Sequence, residues 1–325
     1  MHIRAMRISA RHRQLERLAW AGGFFDGEGS TFAKSQTARP DYRQLNVVVP
    51  QSGDFFVPDV LTRFDEALPG LGTIGPPTGR MFKWRVSDYT GAHAAISALW
   101  PWIGPVKRDQ ARIAISTVEN ADANGRYRSR PGRRRPAVPV PPYLRAGDAT
   151  EPARLDRAWA AGFLDAEGFF GLVRGNPRVG GQSWYRICAS ASQHGEIGRP
   201  AAVLRRLHAV LGVGRVERHG EPDDHKWVAD GLPAVEKVLD VIGPWLGSVK
   251  REQAREALRA FRSQVRFQGG NFCKRGHPYD RRVKTKAGRV RAYCNACARL
   301  AERRIRAEQG IAPRQFRDEQ RRYTQ

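Results

Sequence analysis

The sequence contains an internal repeat, which limits the chain to folds built twice from one unit. Residues 18–29 (LAWAGGFFDGEG) match residues 157–168 (RAWAAGFLDAEG) at an offset of 139. Later matches keep nearly the same register, and at offsets of 142 and 143 they pair residues 70–72 with 212–214, 83–84 with 226–227 and 107–111 with 250–254. Self-similarity that stays in register indicates a repeated structural unit. We therefore expect a duplicated domain of roughly 110 residues.

Both copies have the same order of predicted elements. An amphipathic helix with a Gly-rich stop, at 14–26 and 153–165, precedes two β-like runs, a helix, a second hairpin and two closing helices. The order αββαββαα predicts an α+β fold with a four-stranded antiparallel sheet in each copy. The predicted domains are a first unit at 1–120, an Arg- and Pro-rich linker at 121–152, a second unit at 153–265 and a basic tail at 266–325.

The charge of the chain indicates an anionic partner. Its 325 residues include 56 Lys and Arg against 32 Asp and Glu, a net charge of +24. Arginine accounts for 47 of the cations, and its guanidinium suits phosphate oxygens and base edges. The alternative explanation of the charge is that the protein is encoded by a GC-rich genome, in which Arg codons are abundant. Residues 266–325 carry +12 and residues 121–154 carry +5, so the charge concentrates in the tail and the linker.

Other composition features exclude several classes of protein. No apolar run approaches the ~18 residues of a membrane span, and the basic N-terminus has no apolar segment typical of a secretory signal. We therefore expect an intracellular protein, in the cytoplasm or nucleoid, with no membrane partner. Four cysteines are too few for a disulfide scaffold at this length.

Small residues mark one face of the repeated helix. Ala19 and Gly23 lie four residues apart, and so do Ala158 and Gly162. Small residues at this spacing allow two helix backbones to approach closely. The two repeated helices are therefore predicted to pack on each other where the two units meet.

Acidic residues end each of these helices. Parallel packing of the helices gathers Asp26, Glu28, Asp165 and Glu167 in one place, where their repulsion is costly unless cations bind. Paired carboxylates beside a basic surface suit metal-assisted phosphodiester cleavage, and Mg²⁺ binds a few carboxylates plus substrate oxygens. For Asp26 and Asp165, a structural role in the turn that follows the helix is favoured over metal binding.

These motifs resemble those of the LAGLIDADG homing endonucleases in their single-chain, two-motif form. The nine-residue signature falls on residues 21–29 and 160–168, with Glu in place of the usual final Asp. The resemblance covers roughly residues 14–120 and 153–265. It implies that Glu28 and Glu167 are metal ligands. The backbone carbonyls that it implies as further ligands belong to Gly27 and Ala166.

The resemblance also implies two further pairs of catalytic residues. Family members often carry a Gln at the end of the second strand and a Lys before the last helix, and both organise the hydrolytic water. Gln51, Gln193, Lys107 and Lys250 occupy those positions. The alternatives are a base contact for each Gln and a phosphate clamp for each Lys.

DNA recognition is the third implication. In this family two saddle-shaped sheets lie in successive major grooves of the DNA, where Arg contacts guanine and Asn or Gln contacts adenine. The candidates are Lys34, Gln36, Arg39, Arg43, Gln44 and Asn46 in the first unit and Arg174, Asn176, Arg178, Gln182 and Arg186 in the second. Because the two sets differ, the target is predicted to be asymmetric.

The tail contains a pattern typical of a structural zinc site. Cys273, His277, Cys294 and Cys297 have the spacing Cys-x3-His-x16-Cys-x2-Cys. Thiolate and imidazole ligands at such spacing bind Zn²⁺ tetrahedrally, and a small fold needs such a staple. The alternative is an accidental cluster in a basic tail. The expected role of the module is added DNA affinity through phosphate contacts.

The sequence thus predicts a site-specific double-strand DNA endonuclease that acts with Mg²⁺ or another divalent cation. The competing function is an RNA maturase that binds intron RNA and assists splicing, or a nuclease-dead DNA-binding protein. The acids, Lys and Gln present in both repeats favour the nuclease. We expect a monomer with internal pseudo-two-fold symmetry.

Overall fold

The structure is a computed structural model, and it describes residues 10–36, 39–123, 152–174, 185–262, 281–284 and 290–309. The chain forms two compact units. The larger comprises Met1–Val173 and Arg186–Ser263, and the smaller comprises Arg174–Tyr185 and Gln264–Gln325.

The larger unit contains the predicted element order twice. The first copy consists of α1 (Ala10–Glu28), β1 (Ser30–Gln36), β2 (Arg39–Ser52), α2 (Asp59–Ala67), β3 (Thr73–Ile74), β4 (Met81–Val86), α3 (Tyr89–Leu99) and α4 (Pro105–Ala123). The second consists of α5 (Pro152–Glu167), β5 (Gly168–Arg174), β6 (Tyr185–His194), α6 (Ala202–Leu211), β7 (Arg215–Arg218), β8 (Asp224–Asp230), α7 (Leu232–Ile242) and α8 (Ser248–Arg262). The predicted αββαββαα architecture is confirmed.

Each copy has one four-stranded sheet. The strand orders are β1-β2-β4-β3 and β5-β6-β8-β7, so the two sheets have the same topology, with antiparallel neighbours. Apolar side chains on alternate positions face the helices, and Trp84 and Trp227 are fully buried there. The opposite side of each sheet is called its outer face below. In the first sheet it carries Lys34, Gln44, Asn46, Lys83 and Arg85, and in the second Arg186, Cys188, Arg215, Glu217, Asp224, Lys226 and Asp230.

The helices α1 and α5 cross with their backbones in contact. A Cβ atom placed on Gly23 would lie 1.9 Å from the carbonyl oxygen of Trp159, and one placed on Gly162 would lie 1.9 Å from that of Trp20. Only glycine fits at either position, so the predicted small-residue contact is confirmed. Gly27 lies opposite Ala166 further along, so the two helices run in parallel.

Both helices continue two residues beyond the expected stop, to Glu28 and Glu167. In the first helix the backbone N–H of Gly29 donates to the carbonyl oxygen of Phe25 at 2.8 Å, which completes the last turn. Each acidic residue therefore belongs to the final helical turn.

The smaller unit contains the antiparallel hairpin β9 (Arg281–Lys284) with β10 (Val290–Tyr293), followed by α9 (Asn295–Glu308). Among the helices of the described residues, none combines the length and apolar character needed to cross a bilayer.

Candidate functional site

The two helix ends bring Glu28 and Glu167 together. A Cβ atom on Gly27 would lie 2.5 Å from Cβ of Ala166 and 3.0 Å from Cγ of Glu167, so the last turns of the two helices touch. Both acidic residues are half-buried. Burial raises the pKa of Glu28 to about 7, and the charge of Glu167 acts in the same direction. Burial also raises the pKa of Glu167. The site therefore holds two carboxylates whose negative charges are not fully compensated by the surrounding protein.

One lysine lies beside each acidic end. Lys107, in the first turn of α4, donates from Nζ to the carbonyl oxygen of Gly29 at 2.5 Å. Lys250, in the first turn of α8, donates in the same way to the carbonyl oxygen of Gly168. Burial lowers the pKa of both ammonium groups, while the neighbouring carboxylates raise it. The predicted lysines therefore flank the paired acids from both sides.

The two glutamines lie on the helix-facing side of their strands. Gln51 lies two residues after Val49 and four after Val47, which are both buried, so its side chain is on the same side of the sheet as theirs and not on the outer face. Gln193 has the equivalent place, and its Nε2 donates to Oε1 of Glu167 at 3.0 Å. Within the described residues Gln51 has no matching bond to Glu28. This geometry favours a role at the acids over a base contact.

Asp26 and Asp165 connect the two copies. Trp159 donates its indole N–H to Oδ2 of Asp26 at 3.0 Å, and Trp20 donates to Oδ2 of Asp165 at 2.8 Å. Asp26 also accepts the backbone N–H of Gly104 at 2.7 Å, just before α4 begins. Both acidic residues are buried, and burial raises the pKa of each to about 6. Their expected role in the local turn is therefore wrong, because they bond to the other helix and to the segments preceding α4 and α8.

Two arginines complete this connection, and sequence reasoning missed them. The guanidinium of Arg63 lies 4.0 Å from the ring centroid of Trp20, and its Nη1 donates to the carbonyl oxygen of Trp245 at 2.7 Å. Arg206 lies 4.0 Å from the ring of Trp159 and donates to the carbonyl oxygen of Trp102 at 2.6 Å. The two arginines are 143 residues apart, which is the repeat offset. Their equivalent positions in the two repeats are the sequence signal that could have identified them.

The paired acids fit a divalent cation. Burial pushes both carboxylates toward protonation, and the charge of Glu167 adds to this at Glu28, so they provide hard oxygen ligands whose charge a cation would compensate. Glu28 and Glu167 would supply those ligands.

The raised pKa values predict a pH-dependent stability of the metal-free protein. A carboxyl whose pKa is higher in the folded state binds more protons when folded, so the free energy of unfolding falls as pH rises between the two values. For Glu28 that window runs from 4.5 to about 7, and for Asp26 from 3.8 to about 6. In EDTA we expect the melting temperature to fall from pH 5 to pH 8, and Mg²⁺ to reverse the fall at pH 8. Glu28→Gln should flatten the profile, and a melting temperature that rises across this range would contradict the assignment.

The predicted DNA contacts are only partly placed. Lys34 is exposed on the outer face opposite Gln44, and Arg43 is half-exposed. Asn46 is buried and donates from Nδ2 to the carbonyl oxygen of Gln44 at 2.9 Å. Arg186 lies on the outer face of the second sheet. The side chains of Gln36, Arg39 and Arg174, and the residues Asn176, Arg178 and Gln182, lie outside the described part of the structure.

The outer faces carry further cations that sequence reasoning did not select. Lys83 and Arg85 are exposed on β4, Lys226 is half-exposed on β8, and Arg215 lies on β7. The period-2 alternation around the buried Trp84 was the signal for the first two residues.

The smaller unit places half of the predicted zinc ligands. Cys294 is buried directly before α9, and Cys297 lies in its first turn, where its backbone N–H donates to Sγ of Cys294 at 3.4 Å. The two thiols thus lie three residues apart at one helix end, a placement that suits two ligands of one metal ion. Cys273 and His277 lie outside the described residues.

A second group of possible ligands lies at the edge of the second sheet. His194, Asp223 and Asp224 have ligand atoms within 4.8 Å of one another. Nδ1 of His194 lies 2.6 Å from Oδ1 of Asp224, and the His194 side chain is 78% exposed. A contact between the His194 ring and the Asp224 carboxylate, both at the surface, accounts for this arrangement.

Comparisons with known proteins give the fold. No family model matches the chain, and no curated protein does. The solved structures that resemble it include the LAGLIDADG homing endonuclease I-GzeII in complex with its DNA target, at 12% identity and a TM-score of 0.57 over 78% of this chain and 93% of that chain. They also include I-LtrWI bound to target DNA, at 15% identity and a TM-score of 0.55 over 77% and 92% of the two chains. A third is the LAGLIDADG meganuclease I-AabMI bound to uncleaved DNA, at 16% identity and a TM-score of 0.55 over 75% and 89%. The chain has the two-domain fold of these endonucleases.

Proposed function

We propose that the protein is a site-specific double-strand DNA endonuclease that acts with a divalent cation. One observation carries this proposal: Glu28 and Glu167 meet at the ends of two parallel helices, and Lys107 and Lys250 flank them. Two such sets of residues, related by the repeat, suit the two strands of a duplex. The endonuclease fold and the DNA bound by its structural neighbours support the choice of substrate.

Each residue of the site has a distinct task in this proposal. Glu28 and Glu167 hold the cation, and Gly27 and Ala166 offer backbone carbonyls beside them. The bound cation supplies Lewis acidity and lowers the pKa of a water molecule. Gln193 fixes the Glu167 carboxylate through its hydrogen bond. Lys107 and Lys250 place positive charge where negative charge accumulates on a phosphodiester during cleavage.

The outer faces bind the duplex in this proposal. Their exposed Lys34, Lys83 and Arg85 suit phosphates or base edges in a major groove. The two faces carry different side chains, so the expected target is asymmetric. The single chain already contains both copies, so we propose that it acts as a monomer inside the cell.

The deciding experiment is cleavage selection on a random-sequence duplex library with Mg²⁺, followed by sequencing of the cut ends. The proposal expects a single asymmetric consensus cut in both strands. Tight binding of structured intron RNA without cleavage of any duplex would favour the maturase. Sequence-specific duplex binding without cleavage would instead indicate a DNA-binding protein that has lost nuclease activity.

For the tail we propose a structural zinc site formed by Cys273, His277, Cys294 and Cys297. The buried thiol of Cys294 beside the first turn of α9 supports this ligand set. With a net charge of +12 over residues 266–325, the module would add sequence-independent DNA affinity.

Cys294→Ser tests the zinc site. We expect bound zinc to fall from about one ion per chain to almost none, because a tetrahedral structural site needs all four ligands. DNA affinity should fall, while the cleavage position on a bound target stays the same. Cys188→Ala is the matched control for zinc content, since Cys188 is a buried thiol of the second sheet and not one of the proposed ligands. Unchanged zinc content in Cys294→Ser would refute the ligand set.

A further inference from the structure

The outer faces of the two sheets differ in how their cations are held. On the first face Lys34, Lys83 and Arg85 are exposed, and none has an ion pair with a described residue. Lys83 lies opposite Pro50 in the strand register, and Arg85 lies opposite Val48 and Thr73. No carboxylate lies on this face among the side chains that the structure describes. Its charges therefore belong to long, unrestrained side chains.

The second face contains a network of ion pairs. Asp230 lies opposite the buried Cys188, and its Oδ2 accepts from Nη1 of Arg186 at 3.1 Å and from Nη1 of Arg215 at 3.0 Å. Glu217 accepts from Nε of Arg215 at 2.7 Å. The Asp230 side chain is 19% exposed, whereas the arginines remain 39% and 54% exposed. The carboxylate thus sits within the face and the two guanidiniums extend from it.

The network belongs to the second copy alone. At the repeat-equivalent positions the first copy has Gln44, Thr73 and Ser87, and none of these is charged. The second face also carries Lys226 and Asp224, so three carboxylates balance the charge of its three described Arg and Lys side chains, although the ion pairs involve only Arg186 and Arg215. Sequence-independent attraction to phosphates scales with the unneutralised cations. Among the side chains that the structure describes, the first face therefore has more of this attraction than the second.

Restrained arginines are suited to a different task. Guanine presents two acceptors, O6 and N7, which one guanidinium binds with two parallel N–H bonds. A side chain that is already fixed loses less conformational entropy when it binds. In Arg215 the two acids use Nε and one Nη1 hydrogen, which leaves both Nη2 hydrogens and the second Nη1 hydrogen as donors.

We propose that the two sheets divide DNA recognition, the first holding the phosphate backbone with cations that no described carboxylate neutralises and the second recognising guanines with Arg186 and Arg215, which Asp230 positions. This inference rests on the proposed function, since it requires a duplex substrate. It assigns Asp230 as a positioning residue and the two arginines as determinants of base specificity in one half-site.

The experiment measures binding of the full chain to a random-sequence duplex library in EDTA, with the bound fraction sequenced and the affinity measured at several salt concentrations. Asp230→Asn should lower the guanine preference in one half-site about tenfold, the size of one good base contact. Its affinity for mixed-sequence DNA should stay equal or rise, because a negative charge is lost. Arg215→Gln should remove the preference for guanine at a single position of the half-site. It tests the same inference if Asp230→Asn fails to fold.

Lys83→Gln is the matched variant on the first face. It should weaken binding to all sequences alike and reduce the slope of log K against log salt by about 0.9, the value for one phosphate contact. The inference is overturned if Lys83→Gln changes the base preference while Asp230→Asn and Arg215→Gln change only the overall affinity. Failure of the wild-type protein to bind any duplex would instead refute the proposed function.

Discussion

Glu28→Gln abolishes double-strand cleavage in our expectation, with a loss of about 10³-fold or more in the rate on a target duplex. The carboxamide has the shape of the carboxylate but no negative charge, so it binds a divalent cation poorly. A metal ion contributes several kcal/mol to the stabilisation of a phosphoryl transition state, and a 10³-fold loss corresponds to about 4 kcal/mol. Glu167→Gln should have the same effect. The measurement is single-turnover cleavage of the selected target with Mg²⁺, together with DNA binding by each variant.

Two features make this result specific to the site. Because Glu28 repels Glu167 in the folded protein, the variant should melt at a higher temperature than the wild type in EDTA at pH 8. Loss of activity with gain of stability separates a metal ligand from a structural residue. The control is Glu256→Gln, which changes an exposed acid on α8 and should cut like the wild type. Normal cleavage by Glu28→Gln and Glu167→Gln would overturn the active-site assignment.

The second large effect is on stability. Gly23→Ala should lower the free energy of unfolding by about 3 kcal/mol, the upper end of the range typical of overpacking, and the melting temperature by about 10 °C. The new Cβ would lie 1.9 Å from the carbonyl oxygen of Trp159. Because this oxygen is a backbone atom, no side-chain rotation can relieve the overlap. The helices must separate, and the bonds from Trp20 to Asp165 and from Trp159 to Asp26 lengthen with them.

Gly162→Ala makes the same contact from the other helix and should have a similar effect. Gly75→Ala is the control, because its Cβ would meet only Nη2 of Arg85 at 4.0 Å. Thermal unfolding of the three variants in one buffer provides the comparison. A melting temperature for Gly23→Ala close to that of Gly75→Ala would show that α1 and α5 do not cross at these glycines.

The sequence predicted the features that the repeat displays locally. The spacing of Ala19 and Gly23 was enough to predict the helix crossing, and the acids that follow predicted the meeting of Glu28 and Glu167. Periodicity gave the order of the helices and strands. Each of these signals lies within one or two elements of the chain, so a single sequence is sufficient.

Interactions between distant elements were not predictable in the same way. The carboxylate of Asp26 bonds to Trp159, which is 133 residues away, and its role depends on a contact that exists only after the helices pack. Arg63 lies on α2, where an exposed or a paired side chain is equally compatible with the helical pattern. The pairing of Arg186 with Asp230 depends on the register between β6 and β8, which alternation alone does not fix.

The bonds between α1 and α5 have a consequence for the symmetry of the molecule. Each helix contributes one indole donor, one carboxylate acceptor and one glycine, at Trp20, Asp26 and Gly23 in the first copy. Each contact therefore occurs twice with the roles exchanged: Trp20 donates to Asp165 and Trp159 donates to Asp26, as in an isologous interface between identical subunits. The chemistry of the contact is self-complementary. Two identical polypeptides would offer the same pairs of groups, and what the single chain adds is that its two copies differ in sequence.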